Sequence, residues 1–379
     1  MHHSNQELSE PTIVGDFKLY NVSGSRFEVP KKYTLLKILG TGAYGIACSC
    51  LNEETKEKVS IKKCRDVFRD LEDGKRVLRE IAMMRFFQHE NLLHVMDILP
   101  PMKSYSDFRD VYIVTPLKDV DMNVVLRSRQ ELTDAHVRYF VYQILRGLKY
   151  LHSAGVAHRD LKPANLVTDI SCELKIIDFG LSRNVTMPYY ELTDYVITRW
   201  YRPPELLLEN NYYTTAVDIW SVGCIMAEMY TRKPVLRGRN TMDQLRLICT
   251  HIGKPPSAMV NNPEALDKLQ GLPDGSLNVT ELVPGLTDPD AIDILTKMWE
   301  LDPAKRKSAA ELLQHPFLAP LHDEQDEPDC PTLFSWPYEQ QEMGPAALRQ
   351  AFWEEICAFN PQLATHPSTD STLQEQVRT

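Results

Sequence analysis

The apolar residues of the first third of the chain change period partway along. From Tyr33 to Lys63 the pattern is strand-like: Leu35, Ile38 and Leu39 lead into a glycine cluster, and Val59 and Ile61 alternate with polar neighbours. From about Lys75 to Phe87 the spacing becomes helical, with Val77, Ile81 and Met84 on one face. Asp110 to Thr115 then reads as a short apolar strand, Val111 to Thr115. The chain up to about Pro116 is therefore expected to be a small β-rich unit with one prominent helix. The first twenty or so residues are polar and are expected to be mobile.

Beyond Pro116 helical periods dominate. Thr133 or Asp134 can cap a helix running to His152, with Val137, Phe140, Val141, Ile144, Leu145 and Leu148 as its apolar stripe. Asp218 to Met229 is predominantly apolar and predicts a buried core helix. Further helices are expected near Met242 to Ile252, Ala291 to Glu300 and Ser308 to Leu313, and a late one near Pro345 to Phe359 after an acidic, proline-containing stretch from Asp323 to Pro331. No repeat of 20–50 residues is visible. These patterns predict an α+β protein of two lobes. The expected boundaries are a flexible segment 1–26, a β-rich lobe 27–116, a helical lobe 117–320 with a hinge near Pro116 to Asp119, an acidic segment with a late helix 321–359, and a flexible tail 360–379.

Composition narrows the class. The 379 residues are 43% hydrophobic and 25% charged, a profile that supports a sizeable core. The longest apolar stretch, Ile219 to Tyr230, is interrupted by Ser221 and Glu228 and is too short to cross a bilayer. The polar Met1 to Glu10 does not read as a secretory signal. A formal net charge of −10 disfavours nucleic-acid binding and suits partners with basic recognition segments. The eight cysteines form no C-x-x-C pair, which predicts reduced, packed thiols rather than zinc or redox chemistry. His89-Glu90-Asn91-Leu92-Leu93-His94 misses the spacing of a zinc-protease helix by one residue.

Chemistry-bearing motifs follow in order. Gly40-Thr41-Gly42-Ala43-Tyr44-Gly45 lets backbone N–H groups lie close over phosphates. Because strand-like residues Ile46 to Leu51 follow it, rather than a helix, the motif predicts a phosphate lid and not a dinucleotide fold. Lys62, in Val59-Ser60-Ile61-Lys62, sits on an apolar strand and needs a partner there, which Glu80 can supply from the helix. His158-Arg159-Asp160-Leu161-Lys162-Pro163-Ala164-Asn165 carries a candidate base, Asp160, for a substrate hydroxyl. Lys162 can offset charge on a transferring phosphoryl group, and Asn165 can hold Mg2+. Asp178-Phe179-Gly180, thirteen residues on, adds a second carboxylate for Mg2+.

Four elements in this order resemble the eukaryotic protein kinases, and the resemblance runs from about Phe27 to Phe359. Three further features are similar to the mitogen-activated protein kinases (MAP kinases), in the branch that includes the cyclin-dependent kinases. Thr193-Asp194-Tyr195 lies between Asp178-Phe179-Gly180 and Pro204-Glu205, followed by Val196-Ile-Thr-Arg-Trp-Tyr-Arg202. A segment at about 237–289 corresponds to the family's helical insert. Asp323-Glu-Gln-Asp326-Glu327 resembles its acidic docking site.

The resemblance implies a proline-directed serine/threonine kinase that uses ATP and Mg2+ and is activated by phosphorylation of Thr193 and Tyr195. Arg79, Arg159 and Arg183 would surround phosphorylated Thr193, and Arg199 and Arg202 would lie near phosphorylated Tyr195. Thr115, Pro116, Leu117, Lys118, Ala47, Ser60 and Val167 would form the adenine pocket, with Asp121 near the ribose. Glu205 would pair with Arg306, and Asp218 would support the catalytic-loop backbone. Expected partners are an upstream dual-specificity MAP kinase kinase, phosphatases and protein substrates with basic docking motifs that engage Asp323, Asp326 and Glu327. A monomer, cytoplasmic and nuclear, with no membrane or nucleic-acid partner, completes the expectation.

Four positions depart from the family's pattern. Ala47 replaces the usual valine after the glycine loop, and Ser60 replaces the usual alanine before the strand lysine. Pro203 and Ala157 stand where alanine and a larger residue are usual. The smaller Ala47 predicts weaker ATP binding. A scaffold without catalysis is disfavoured because Lys62, Glu80, Asp160, Asn165 and Asp178 are all present. A cyclin-dependent kinase is disfavoured because Val77 to Met84 lacks the cyclin-binding signature.

Overall fold

The computed structural model describes residues 10–42, 45–185, 199–208, 214–260, 263–339 and 341–365. Their backbone divides into a β-rich unit, up to Arg85 with His94–Leu117 and the residues from Trp336 onward, and a helical unit of Phe86–Leu93 and Lys118–Ser335.

In the β-rich unit, β1 (Thr12–Val14), β2 (Phe17–Val22) and β3 (Ser25–Pro30) form an antiparallel sheet. A second antiparallel sheet joins β4 (Tyr33–Gly42), β5 (Gly45–Asn52), β6 (Lys58–Cys64), β7 (Asp97–Ile98) and β8 (Val111–Pro116) in the order β4-β5-β6-β8-β7. Alternate side chains of the two sheets share one core: Tyr20, Val22, Phe27 and Val29 join Ile46, Cys48, Cys50, Val59, Ile61, Tyr112 and Val114.

This corrects the expectation of a flexible segment 1–26 for its described part, because residues 12–26 form strands joined by tight turns and the boundary at 27 falls inside β3, while residues 1–9 lie outside the described residues. The physical reason is a two-residue hairpin turn. Ser23 and Gly24 both have positive φ, 50° and 76°, and Val22 pairs with Ser25 across them, which matches the right-handed twist of the strands. Helix α1 (Leu71–Phe86) carries Glu72 and Asp73 in its first turn and Arg85 in its last, complementing its dipole.

The helical unit contains β9 (Val120–Asp121), α2 (Met122–Arg127), α3 (Asp134–Ser153), β10 (Val156–Ala157), β11 (Leu166–Thr168), β12 (Leu174–Ile176) and β13 (Arg183–Asn184). Helices α4 (Pro204–Leu207), α5 (Ala216–Thr231), α6 (Thr241–His251), α7 (Pro263–Gln270), α8 (Val279–Leu282), α9 (Pro289–Met298) and α10 (Ala309–Leu313) follow. The expected stripe of α3 is buried, and Thr133 caps it by accepting from His136 N–H. Residues 216–229 of α5 are buried on every side, as its composition predicted. Ser308 and Glu311 close α10 with a capping box. Glu205 and Arg306 form the expected ion pair, at 2.6 and 3.1 Å, with side chains 1% and 0% exposed.

Helix α11 (Pro345–Phe359) of the β-rich unit forms at the expected place. The segment 321–359 is nevertheless not one piece. Up to Ser335 it belongs to the helical unit, where Phe334 packs on Phe86 and Phe87, and from Trp336 it belongs to the β-rich unit. Residues 86–93 also join the helical unit: Leu93 N–H donates to Ile176 O, and the Asn91 side chain contacts Gln143 and Leu174 O. The expected flexible tail 360–379 is corrected at its start, since buried Asn360 donates to Ile98 O at 2.7 Å and Pro361–Thr365 form a helical turn, while residues 366–379 lie outside the described residues.

Candidate active site

The β-rich unit supplies a lysine and its partner. Cross-strand register places Ala47 opposite Lys62, Ser49 opposite Ser60, and Ser60 opposite Thr115. With Ile46, Cys48, Val59, Ile61 and Val114 turned into the core, the period of two sends Ala47, Ser60, Lys62 and Thr115 to the other face. There the Lys62 ammonium meets both carboxylate oxygens of Glu80 at 2.8 Å, with Glu80 only 8% exposed. The ion pair anticipated from the sequence is formed.

Gly40, Thr41 and Gly42 pair with Ala47, Ile46 and Gly45 to close the lid, while Ala43 and Tyr44 lie outside the described residues. Gly45 is required by space and conformation. Its φ is +153°, and a Cβ would fall 1.8 Å from the Lys63 carbonyl oxygen. Thr115 is buried, and Pro116 and Leu117 follow it at the end of this unit.

The helical unit supplies the second constellation. Asp218 is fully buried on α5. Its Oδ1 accepts Arg159 N–H at 2.8 Å, and its Oδ2 accepts His158 N–H and meets His152 Nε2, both at 2.8 Å. Burial alone would raise this carboxyl, but the hydrogen bond and charge of His152, with His158 and the Arg159 amide, hold it below the ordinary aspartate value. The loop is thereby fixed with Arg159 at φ 70°, a conformation that non-glycine residues adopt at a cost.

His158 Nε2 meets Ile177 O at 3.0 Å, and Asp160 N–H donates to His158 Nδ1 at 3.3 Å. Asp160 Oδ2 accepts Lys162 Nζ at 2.6 Å and Asn165 Nδ2 at 3.0 Å. Asn165 Nδ2 also donates to Asp160 O, which fixes the amide with its oxygen turned away. Asp178 is left-handed, φ 68° and ψ 71°, and Phe179 behind it is buried against His158 and Phe87. Asn165 thus offers an amide oxygen and Asp178 a carboxylate, two hard oxygen donors that fit Mg2+.

Other predicted residues take definite places. Lys118 pairs with Asp169, and with Glu173 at 3.1 Å, so its side chain is held within the helical unit. Asp121 caps α2 by accepting Val124 N–H and pairs in register with Val167. Arg159 and Arg202 line one pocket with Asp160 and Pro203, and Arg183 donates to Ser182 O. Arg199 opens the short helical turn Arg199–Tyr201. Arg79 is bound bidentately by Glu339, at 3.1 and 3.2 Å. Thr193 and Tyr195 lie outside the described residues.

Among the docking candidates Asp323 and Asp326 are exposed, but Glu327 is corrected: it is 2% exposed and accepts from Asp323 N–H beside His322. Ala157 is buried against Leu206 and Val217, and Pro203 occupies the position before α4 without a side-chain cap. The sequence reading missed His152 and Glu339. The partner of each is distant in sequence, Asp218 by 66 residues and Arg79 by 260, so no local signal marks them.

A lysine–glutamate pair, a base loop and an Asp-Phe-Gly turn define a phosphotransferase of the protein kinase class, and the protein kinase domain model matches residues 33–318. The chain is 46% identical to the mitogen-activated protein kinase homolog MMK2 of Medicago sativa, over 93% of this chain and 95% of that protein. It is 45% identical to mitogen-activated protein kinase 6 of Oryza sativa subsp. japonica, over 92% and 93%. Against mitogen-activated protein kinase 6 of Arabidopsis thaliana it is 45% identical over 92% and 88%. The chain belongs to the MAP kinases, within the cyclin-dependent-kinase-related branch of protein kinases. It is a serine/threonine protein kinase of signalling, and ATP is its phosphoryl donor.

Proposed function

We propose that Asp160 accepts the proton of a Ser or Thr hydroxyl followed by Pro, while Lys162 offsets charge on the transferring phosphoryl group. The observation that carries this is the fixing of Asp160 Oδ2 by Lys162 and Asn165, with no partner on Oδ1 among the described residues. Such a carboxylate is oriented and keeps a lone pair for a hydroxyl. Lys62, steadied by Glu80, engages the α- and β-phosphates, and the Gly40–Gly45 turn lies over them. Asn165 and Asp178 would hold Mg2+, which would supply neutralisation of the phosphate charge.

Thr115, Pro116, Leu117 and the Lys118 backbone receive adenine with Ala47, Ser60 and Val167, and Asp121 meets the ribose. Phosphorylation of Thr193 and Tyr195 by an upstream MAP kinase kinase raises activity through Arg79, Arg159, Arg183, Arg199 and Arg202. Asp323 and Asp326 receive basic motifs of activators, phosphatases and substrates. The enzyme acts as a monomer in cytoplasm and nucleus.

The test is phosphate transfer from MgATP to a Ser-Pro/Thr-Pro peptide before and after phosphorylation of Thr193 and Tyr195, beside Asp178→Asn. Turnover that rises strongly with dual phosphorylation and vanishes in the variant is expected. Equal turnover by Asp178→Asn, or none in the doubly phosphorylated protein, would overturn the reading.

A further inference from the structure

We infer that residues Trp336–Glu339 and Gln341–Met343 form a positioning strap for α1, with Glu339 the residue that sets the Lys62–Glu80 pair. The outer face of α1 carries the contacts. Lys75 and Arg79 are one turn apart and share that face. Lys75 is 9% exposed and donates to the carbonyl oxygens of Glu339, at 3.1 Å, and Gln341, at 2.8 Å. Arg79 is 2% exposed. Its Nε and Nη2 bind the two carboxylate oxygens of Glu339, and its guanidinium carbon lies 4.8 Å from the centre of the Trp336 ring.

The start of α1 is seated by contact as well. A Cβ on Gly74 would come within 2.2 Å of Val67 O and 2.7 Å of Leu348 Cδ2 on α11, so the helix lies against its neighbours without space for a methyl group. At its end Arg85 pairs with Glu355 of α11 at 3.1 Å. Three successive levels of α1 are therefore held by the chain between 336 and 355.

Arg79 and Glu80 are adjacent, so they point about 100° apart around the helix axis. Fixing one fixes the direction of the other. A roll of 20° about the axis would carry a side-chain end about 2 Å sideways. That exceeds the tolerance of the 2.8 Å contacts from Lys62 to Glu80. Glu339 thus acts on Lys62 through Arg79, the rotation of α1 and Glu80. It touches neither nucleotide nor substrate and is a positioning residue. A fork-to-fork carboxylate–guanidinium pair suits this task, because it resists rotation as a single contact does not.

The inference rests on the assignment of Lys62 to ATP, and the experiment separates the two. Glu339→Ala, Glu339→Asp, Glu339→Gln and, as a control, the exposed strap residue Glu342→Gln are compared with the unaltered protein. Each is assayed for MgATP KM and kcat, melting temperature, and the rate at which an amine-reactive ester modifies Lys62, read by peptide mass spectrometry. Expected results are a three- to tenfold higher MgATP KM and a several-fold faster Lys62 modification in Glu339→Ala, partial rescue in Glu339→Asp, and no change in Glu342→Gln.

Unchanged Lys62 modification in a folded Glu339→Ala would overturn the strap. So would higher transfer activity in that variant, which would make the strap a restraint. Faster modification with an unaltered KM would keep the strap and sink the ATP role of Lys62 instead. If Glu339→Ala fails to fold, Glu339→Gln decides by the same criteria.

Discussion

The loop His158–Asn165 and the turn Gly40–Gly45 serve the same kind of chemistry but are built in opposite ways. The loop is held by buried polar groups: one carboxylate, Asp218, receives two backbone N–H groups and a histidine. The turn is held by strand register and by the absence of a side chain at Gly45. The first arrangement depends on charge and protonation, and the second on sterics alone. The two regions should therefore fail under different insults.

The largest expected effect is at the loop's reacting group. Asp160→Asn should lower kcat about a thousandfold, with the melting temperature nearly unchanged, because only the proton acceptor is lost. Next, Asp218→Asn turns an amide N–H towards a backbone N–H and removes a buried partner of His152. It should cost about 4 kcal/mol in chemical denaturation and lower kcat more than tenfold.

In the turn, Gly45→Ala should destabilise the protein by about 2–3 kcal/mol without any pH dependence, because the clash with Lys63 O is steric. The helical unit should show the contrasting pH response. Burial, with the Arg146 charge behind it, pushes His89 from 6.5 down to about 4. The folded state then resists a proton that the unfolded chain accepts. Stability is complete above pH 6.5 and falls as pH drops towards 4, reaching a loss of about 2 kcal/mol at pH 5. Denaturation of His89→Asn at pH 7 and pH 5 should lack this part of the slope. The smallest effect is a gain: Ala47→Val should lower the MgATP KM by up to about tenfold, the worth of two added carbons. An unchanged KM would remove Ala47 from the nucleotide's surroundings.

The sequence revealed these regions unequally. The loop and the turn were legible because each is a short run of residues whose order carries the chemistry, and Lys62 with Glu80 followed from burying a cation on a strand. Helices α3, α5 and α11 were legible because their apolar patterns are local, with the Thr133 cap as a further signal for α3. The β1–β3 sheet was not, since its strands are only three to six residues long and its turn is Ser23-Gly24 rather than the stronger Asn-Gly signal. Glu327 was read as a surface acid because its burial depends on His322 and on the fold of the turn. Glu339 was invisible because the contact that gives it meaning is made across 260 residues.

The Glu205–Arg306 pair has a consequence for how such chains can be exchanged over time. Its members stand 101 positions apart, with neither side chain exposed beyond 1%. Losing either one strands the other charge in the interior, at a cost of about 3–5 kcal/mol. Neither position can drift alone, and an exchange of both must pass through a crippled intermediate. A recombination crossover placed between positions 205 and 306 is therefore harmless only when both parental chains carry the same acid and the same base, so the stretch between them is inherited under the guard of its two ends.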